Sequence, residues 1–204
     1  MATSFTLQND PALPQGYLKV DGSTSATFTT SGITGNLTGN VTGNLTGSLT
    51  AGGSLTLATA QTATGTAVDF TGIPSWAKRI TVMFNGVSTN GTSNLLFQIG
   101  AGSIISSGYT STSAYIAGPS VSGNVYTTGF GIFSATASNL LTGHLVLTNL
   151  SGNNWVCSAV FGTSAIWFSS GSITLSGSLD RLRVTTVNGT DAFDAGTINI
   201  MFEG

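Results

Sequence analysis

Few residues of this chain could do acid–base or nucleophilic chemistry. His144 is the single histidine of the 204 residues and Cys157 is the single cysteine. A catalytic site needs a nucleophile, an acid or base, and groups that hold them, and the spacing of these residues predicts neither a Ser-His-Asp arrangement nor a Cys–His pair. We expect Cys157, within the apolar run NWVCSAVF, to be a buried core thiol, and His144 to be a core or interface residue. The sequence therefore predicts a protein that is not an enzyme.

The carboxylates are also sparse. Asp191 and Asp194 share the segment NGTDAFDAG and could bind a cation together with backbone carbonyls, although a solvated hairpin loop is the alternative that we favour. A polysaccharide-cleaving enzyme needs two carboxylates facing each other across a groove, and no such pair is evident. The spacings of zinc sites, EF-hand loops and phosphate-binding loops are missing too. We expect no metal and no cofactor. The seven carboxylates are Asp10, Asp21, Asp69, Asp180, Asp191, Asp194 and Glu203.

A Ser/Gly-rich stretch between residues 100 and 129 contains Tyr109, Tyr115 and Tyr126. Tyrosine offers a large amphipathic contact at modest entropic cost, and Ser and Gly let a loop adapt, as in antibody binding loops. Because tyrosine rings also stack on sugar faces, these three residues are candidate contacts for a glycan. The alternative is that the tyrosines anchor the loop in the core or in a subunit interface.

The composition excludes several classes of protein. Only 6% of the residues are charged, against about 25% in typical soluble proteins, which favours an all-β protein with much subunit interface. The net charge of −2 excludes a strong electrostatic attraction to nucleic acid. No apolar stretch reaches the roughly 18 residues of a membrane-spanning helix, so we expect no membrane insertion, and the first 16 residues lack the pattern of a secretory signal. We attribute the six Asn-x-Ser/Thr sequons to repeat and turn chemistry: Asn36, Asn40, Asn44, Asn90, Asn149 and Asn188.

Five consecutive tetrapeptide repeats lie between Ile33 and Gly52: ITGN, LTGN, VTGN, LTGS and LTAG. A period of four is even, so in an extended strand every aliphatic residue projects to one face and every Thr to the other. At about 3.3 Å per residue the segment would span about 65 Å, which predicts a shaft. Its aliphatic face consists of Ile33, Leu37, Val41, Leu45 and Leu49.

Such a shaft cannot fold alone. Ordering about 20 residues costs roughly 20–40 kcal/mol of backbone entropy, whereas burying five aliphatic side chains returns only about 7–15 kcal/mol. No other segment carries the same repeat, so the simplest partner is another copy of this chain, and closed symmetry would also remove exposed strand edges. We expect three copies, although the period alone does not decide the number. A flexible Gly/Thr/Asn linker is the alternative.

From residue 57 to the C-terminus the sequence alternates between apolar and polar residues, with turn signals such as Asn85-Gly86 and Ser151-Gly152. The segments RITVMF and NLLFQIG each place three apolar side chains on one face. Roughly nine or ten short strands without a helix predict a β-sandwich of jelly-roll type. The predicted architecture is all-β, with an N-terminal anchoring segment (1–30), a shaft (31–56) and a β-sandwich knob (57–204).

Three motifs resemble the small tail-fibre or head-fibre structural proteins of tailed bacteriophages, of the type found in aquatic phages. They are the lead-in GYLKVDGSTSATFTTSGITG (16–35), the shaft repeats GN[LV]TGN, and two knob segments, TATGTAVDFTGIPSWAKRITVMFNGVSTNGTSNLLFQIG (62–100) and LDRLRVTTVNGTDAFDAGTINIMFEG (179–204). The resemblance implies a homotrimeric virion fibre, assembled in the bacterial cytoplasm, with a role in attachment to the host surface or in capsid decoration. It implies no catalytic residue.

The residues and the resemblance together lead to one expectation and one alternative. We expect the N-terminal segment to bind another virion protein and Tyr109, Tyr115 and Tyr126 to contact a receptor, such as a host surface glycan. The alternative is a capsid-decorating head fibre or cement protein that binds or stabilises the shell. Both are structural roles in a virion, and they differ in the partner that the protein contacts.

Overall fold

The computed structural model of the protein describes residues 55–134 and 136–204. Within these ranges the regular secondary structure consists of β-strands alone, which confirms the all-β prediction. Ten of the fourteen strands have five residues or more, close to the predicted number. The strands are β1 Leu55–Leu57, β2 Gln61–Thr62, β3 Ala67–Thr71, β4 Arg79–Thr89, β5 Leu95–Ala101, β6 Ser103–Ile104, β7 Thr110–Ala117, β8 Ser120–Tyr126, β9 Phe130–Ile132, β10 Leu141–Ser151, β11 Asn154–Gly162, β12 Ile166–Thr174, β13 Arg181–Thr186 and β14 Phe193–Glu203.

The strands form two antiparallel sheets. The large sheet has nine strands in the order β1-β14-β4-β10-β11-β12-β7-β8, with β2 also paired to β14. The small sheet has five strands in the order β3-β13-β5-β6, with β9 also paired to β5. Within each sheet, strands distant in sequence lie side by side, while β10, β11 and β12 follow one another as hairpins.

The core lies between the two sheets and contains residues from both. Phe84 and Phe161 of the large sheet contact Phe97 of the small sheet, with ring centroids 5.4 and 6.0 Å from the Phe97 ring. The alternation in RITVMF accounts for this packing because Ile80, Val82 and Phe84 are all buried on one face of β4, as predicted. The described chain is therefore sandwich-like, with one hydrophobic core.

A short strand, β9, connects the two sheets. It pairs with β5 of the small sheet, and its other side is bonded by two serines of β7 in the large sheet. The backbone N–H of Gly131 donates to Ser111 Oγ at 3.2 Å and that of Phe133 donates to Ser113 Oγ at 2.9 Å. Both serines are almost completely buried. The two serine hydroxyls thus satisfy backbone donors that would otherwise be buried without a partner.

The prediction of a turn at Asn85-Gly86 is wrong. Both residues lie inside β4, where the register shifts against β14 and against β10. Gly86 has a φ of 63°, and residues with a positive φ are typical of β-bulges as well as of turns. The Asn-Gly pair therefore bends a long strand here instead of ending it.

The other turn signals are confirmed. Ser151-Gly152 joins β10 to β11, and the side chain of Asn149 donates across this turn to the Gly152 carbonyl at 2.9 Å. The side chains of Asn90 and Asn188 also bond to loop backbone, but as acceptors, from the N–H groups of Ala192 and Thr190. These three sequons act in turns, as expected. The anchoring segment, the five aliphatic shaft residues and the sequons at Asn36, Asn40 and Asn44 lie outside the described residues.

Candidate functional site

Tyr109 lies in the core, not on the surface. Its side chain is 3% exposed and its ring meets Phe130 edge-on at 5.0 Å. The hydroxyl accepts a hydrogen bond from the Ile99 N–H at 2.8 Å and lies 3.1 Å from the Ile105 carbonyl, to which it can donate. Burial raises the pKa of Tyr109 to about 12, although the hydrogen bond with Ile99 opposes the rise. This placement favours the alternative in which the tyrosine anchors its loop.

Tyr126 is likewise covered, at 6% exposed. Its ring lies directly over Gly131, where a side chain would collide with the ring. Burial raises the pKa of Tyr126 to about 12. The tyrosine therefore holds β8 against β9, and its position does not favour direct contact with a ligand.

Tyr115 is the most accessible of the three candidate tyrosines. It is half-buried, and its ring stacks at 5.6 Å on Phe133 and at 6.5 Å on Trp167. Phe133 is half-buried as well, whereas Trp167 is buried. Tyr115 also packs against the hydrophobic core, so Tyr115 and Phe133 form a small aromatic surface that is partly accessible.

His144 and Cys157 do not form a catalytic pair. Cys157 is a buried core thiol, as predicted, and burial raises its pKa, which keeps it protonated and unreactive. His144, for which a core or interface position was expected, is exposed on the outer face of β10, so it is not a core residue, and the interface position stays a prediction. The two side chains project from opposite faces of the large sheet.

Asp191 and Asp194 serve separate structural roles. The Asp191 carboxylate accepts hydrogen bonds from the Asn188 side chain at 2.6 Å and from the Ser93 N–H at 2.8 Å, and these bonds hold its pKa below the usual value. Asp194 accepts from the Ser88 hydroxyl instead. Among the described residues no group of three or more His, Cys, Asp or Glu side chains could hold a metal ion. Asp191 lies in the loop before β14, which agrees with the hairpin alternative, whereas Asp194 lies in β14 itself.

The most distinctive surface of the described residues, the outer face of the large sheet, was not predicted from the sequence. One row of paired residues crosses eight strands of this face without a charge. The charged or titratable residues on this face are the Arg79–Glu203 ion pair near β1, Asp194 of β14 and His144. The row consists of Leu57, Met201, Thr81, Val146, Ser158, Ser170, Thr112 and Val125.

Beside this row, strands β11, β12, β7 and β8 present five exposed aliphatic or aromatic side chains, which we call the apolar patch. Val160 lies opposite Phe168, and Ile166 lies opposite Ile116, which in turn lies opposite Val121. All five are exposed. The signal was present in the sequence, because NWVCSAVF and AIWF carry apolar residues on both faces of a strand, whereas a sheet with one solvated face alternates apolar and polar residues. The patch consists of Ile116, Val121, Val160, Ile166 and Phe168.

The outer face of the small sheet has the opposite character. Arg183 forms a two-pronged ion pair with Asp69 on the neighbouring strand, with both N–O distances at 2.7 Å. Arg181 pairs with Asp180 at 2.8 Å. Partly exposed ion pairs of this kind are typical of a solvated surface.

A depression near the start of β4 is too small for a substrate. Its volume is about 20 Å³, room for roughly one water molecule, and its lining includes Lys78, Asn149 and Trp155. None of the described residues belongs to a helix that is long and apolar enough to cross a bilayer.

Comparison with known proteins found no matching family model, no matching curated protein and no matching solved structure.

Proposed function

We propose that the chain is a non-enzymatic subunit of a bacteriophage virion fibre and that it works as a homotrimer. Residues 1–30 bind another virion protein, residues 31–56 form a three-chain shaft, and residues 57–204 form the knob that attaches to the host surface. The receptor is a surface glycan. A protein with this role is located in the virion.

One observation carries this proposal: the exposed apolar patch on the outer face of the large sheet, in a chain that also contains a self-complementary repeat. Monomeric soluble proteins rarely expose large contiguous apolar surfaces, and the small sheet, with its ion pairs, lacks one. The repeat has no second copy within the chain, so its partners are other copies. Both features favour a multi-chain assembly over an enzyme or a monomeric binding protein.

The aromatic surface at Tyr115 and Phe133 is the contact that we propose for the glycan. Sugar rings bind aromatic faces through their C–H groups, while the exposed serines of the adjacent β8 offer hydrogen-bonding hydroxyls. A single small site of this type binds weakly. Three knobs on one shaft raise the avidity through effective concentration, without any additional contact.

A jelly-roll-like knob is part of the proposal. It is supported by two antiparallel sheets in which strands distant in sequence are neighbours, as in the β14-β4-β10 order, which is typical of Greek-key connections.

The native mass of the full chain tests the proposal. We expect about 62 kDa by light scattering, three times the 20.6 kDa of one chain. The triple variant Leu37→Asn, Val41→Asn, Leu45→Asn removes the aliphatic face of the repeat and should be monomeric. The matched control, Thr38→Ser, Thr42→Ser, Thr46→Ser, alters the other face and should remain a trimer. A full chain of 20.6 kDa, or a trimer that survives the triple variant, would contradict the proposed shaft.

The attachment role has its own test, binding of the trimer to host cells. Tyr115→Ala should lower binding on the order of tenfold, a loss of about 1.4 kcal/mol, with the native mass unchanged. Trp76→Ala removes a different exposed aromatic ring, which packs on Phe202, and should leave binding intact. Phage particles that lack the protein but still adsorb normally would instead favour the capsid-decorating role.

A further inference from the structure

We infer that the apolar patch is the contact surface between neighbouring knobs, with a second copy of this chain as its occupant. The inference rests on the proposed trimer and names the surface that the knobs use. The patch, Ile116, Val121, Val160, Ile166 and Phe168, is contiguous because its members are direct or diagonal neighbours on four adjacent strands.

The chemistry of the patch favours a protein surface over a glycan. Its side chains are aliphatic except for Phe168, and they offer neither hydrogen-bond donors nor acceptors. A sugar site needs a few placed polar groups to orient its ligand. The neighbouring row contributes Ser158, Ser170 and Thr112, whose small side chains let another backbone approach closely.

The position at which the preceding chain enters the described domain limits the distance between the repeat and the patch. Five residues lie between Leu49, the last aliphatic residue of the repeat, and Leu55, so the two lie at most about 20 Å apart. Leu55 begins β1, and β1 belongs to the same sheet as the patch, four strands from β11. At about 4.8 Å per strand this adds about 19 Å. The nearest strand of the patch, β11, therefore lies within about 40 Å of Leu49 of the same chain.

Tethering also allows such a modest patch to be occupied. Three knobs linked to one shaft experience an effective concentration in the mM range, so a contact too weak to form between free chains forms within the trimer. In a three-fold assembly the contact is heterologous, which means that the patch meets a different surface of the neighbour. The same residue on two copies need not come together, and the test below does not require it.

Cysteine accessibility in the full chain tests the inference. Val160→Cys places a thiol in the patch, and Val187→Cys places one outside it at nearly the same exposure, since Val160 is 45% and Val187 is 49% exposed. A maleimide-polyethylene glycol reagent is added to each native variant and the labelling rate is measured. The buried Cys157 reports on folding, because it becomes labelled only if the chain unfolds. Ile116→Cys, at 43% exposed, repeats the test at a second patch position.

We expect at least a tenfold slower rate at the two patch positions than at position 187, in variants whose native mass stays about 62 kDa. Equal rates in a trimer would overturn the inference and leave the fibre proposal standing, because the patch would then be free for a different partner. A native mass of 20.6 kDa for the unsubstituted chain would overturn both.

Discussion

At the scale of single residues, the side chains that could take part in chemistry stabilise the structure instead. Tyr109 binds the backbone of Ile99 and Ile105, Asp191 organises a loop through Asn188, and Cys157 is a core residue. Each group is held by contacts that suppress its reactivity.

The phenol of Tyr109 should contribute measurably to stability. Tyr109→Phe keeps the ring and its contact with Phe130 but leaves the buried N–H of Ile99 with one partner fewer. Because an unsatisfied buried donor costs about 1–3 kcal/mol, we expect the free energy of unfolding in urea to fall by that amount. Tyr115→Phe, at a half-buried position, is the control and should change it by less than about 0.5 kcal/mol. An equal effect of the two substitutions would contradict the structural role of the Tyr109 hydroxyl.

The raised pKa values of Tyr109 and Tyr126 predict a loss of stability at alkaline pH. The folded protein keeps Tyr109 and Tyr126 protonated up to a pKa of about 12, whereas both ionise near pH 10 in the unfolded chain. Between these values the unfolded state alone releases the protons, so stability falls as the pH rises, by up to about 1.4 kcal/mol per pH unit for each tyrosine. Urea unfolding at pH 9 and pH 11 measures the fall. Tyr109→Phe should show a smaller fall than the unsubstituted chain, and an identical fall would exclude Tyr109 as a source.

The environment of a residue was easier to predict from the sequence than its hydrogen-bond partner. The burial of Cys157 followed from its apolar run, and the turn role of Asn149 followed from its neighbours. The partner of Tyr109 did not, because Ile99 is ten residues away and is reached only through the loop that joins β5 to β7. A tyrosine in a Ser/Gly-rich segment has the same local pattern whether it is exposed or buried.

At the scale of elements, two inward-facing serines on β7 are the notable device, because they attach β9 to the large sheet. Ser111→Ala or Ser113→Ala removes the acceptor of a buried N–H of β9 or of the residue that follows it. We expect each to lower the free energy of unfolding by about 1–3 kcal/mol. Thr112→Ala lies between them on the exposed face and should cost much less. Equal costs at all three positions would show that the hydroxyls act through strand propensity and not through β9.

The bulge in β4 makes a second prediction at this scale. Gly196 of β14 has a φ of 92° and lies so close to the carbonyl of Gly86 that a methyl group would collide with it. Gly196→Ala should therefore destabilise the fold by at least about 2 kcal/mol, through strain and overpacking together. Gly162→Ala has only an ordinary contact at 3.8 Å, with the Ala165 carbonyl, and should be close to neutral. A neutral Gly196→Ala would mean that the bulge can relax.

Strand existence followed from period-two alternation, but strand pairing did not. RITVMF predicted the buried face of β4 correctly because its polar and apolar residues alternate. The Asn-Gly pair at positions 85 and 86 misled because bulges and turns need the same positive φ. The apolar patch was missed because it arises only when β11, β12, β7 and β8 lie side by side, and local sequence does not fix their order.

At the scale of the whole molecule, the distribution of charge separates the two outer faces. The small sheet carries the Asp69–Arg183 and Asp180–Arg181 pairs, which suit solvent, whereas the outer face of the wider large sheet carries one ion pair, Asp194 and a histidine. Residues 57–204 contain nine charged residues, and four of them form the two ion pairs of the small sheet. A trimer with its large sheets directed inward would place each face in the environment that its chemistry favours.

An assembly built on such faces should resist salt. The shaft residues and the apolar patch are uncharged, and at 1 M salt electrostatic contacts are screened beyond about 3 Å, while the hydrophobic contribution is not weakened. We expect the native mass of the full chain to remain about 62 kDa, three times that of one chain, from 0.05 to 1 M NaCl, and the urea midpoint for trimer dissociation to stay equal or rise. Asp69→Asn, which breaks an ion pair on the solvated face, should leave both quantities within error. Dissociation to 20.6 kDa chains at 1 M NaCl would show that charged groups hold the copies together, and would place the interface on the small sheet or outside the knob.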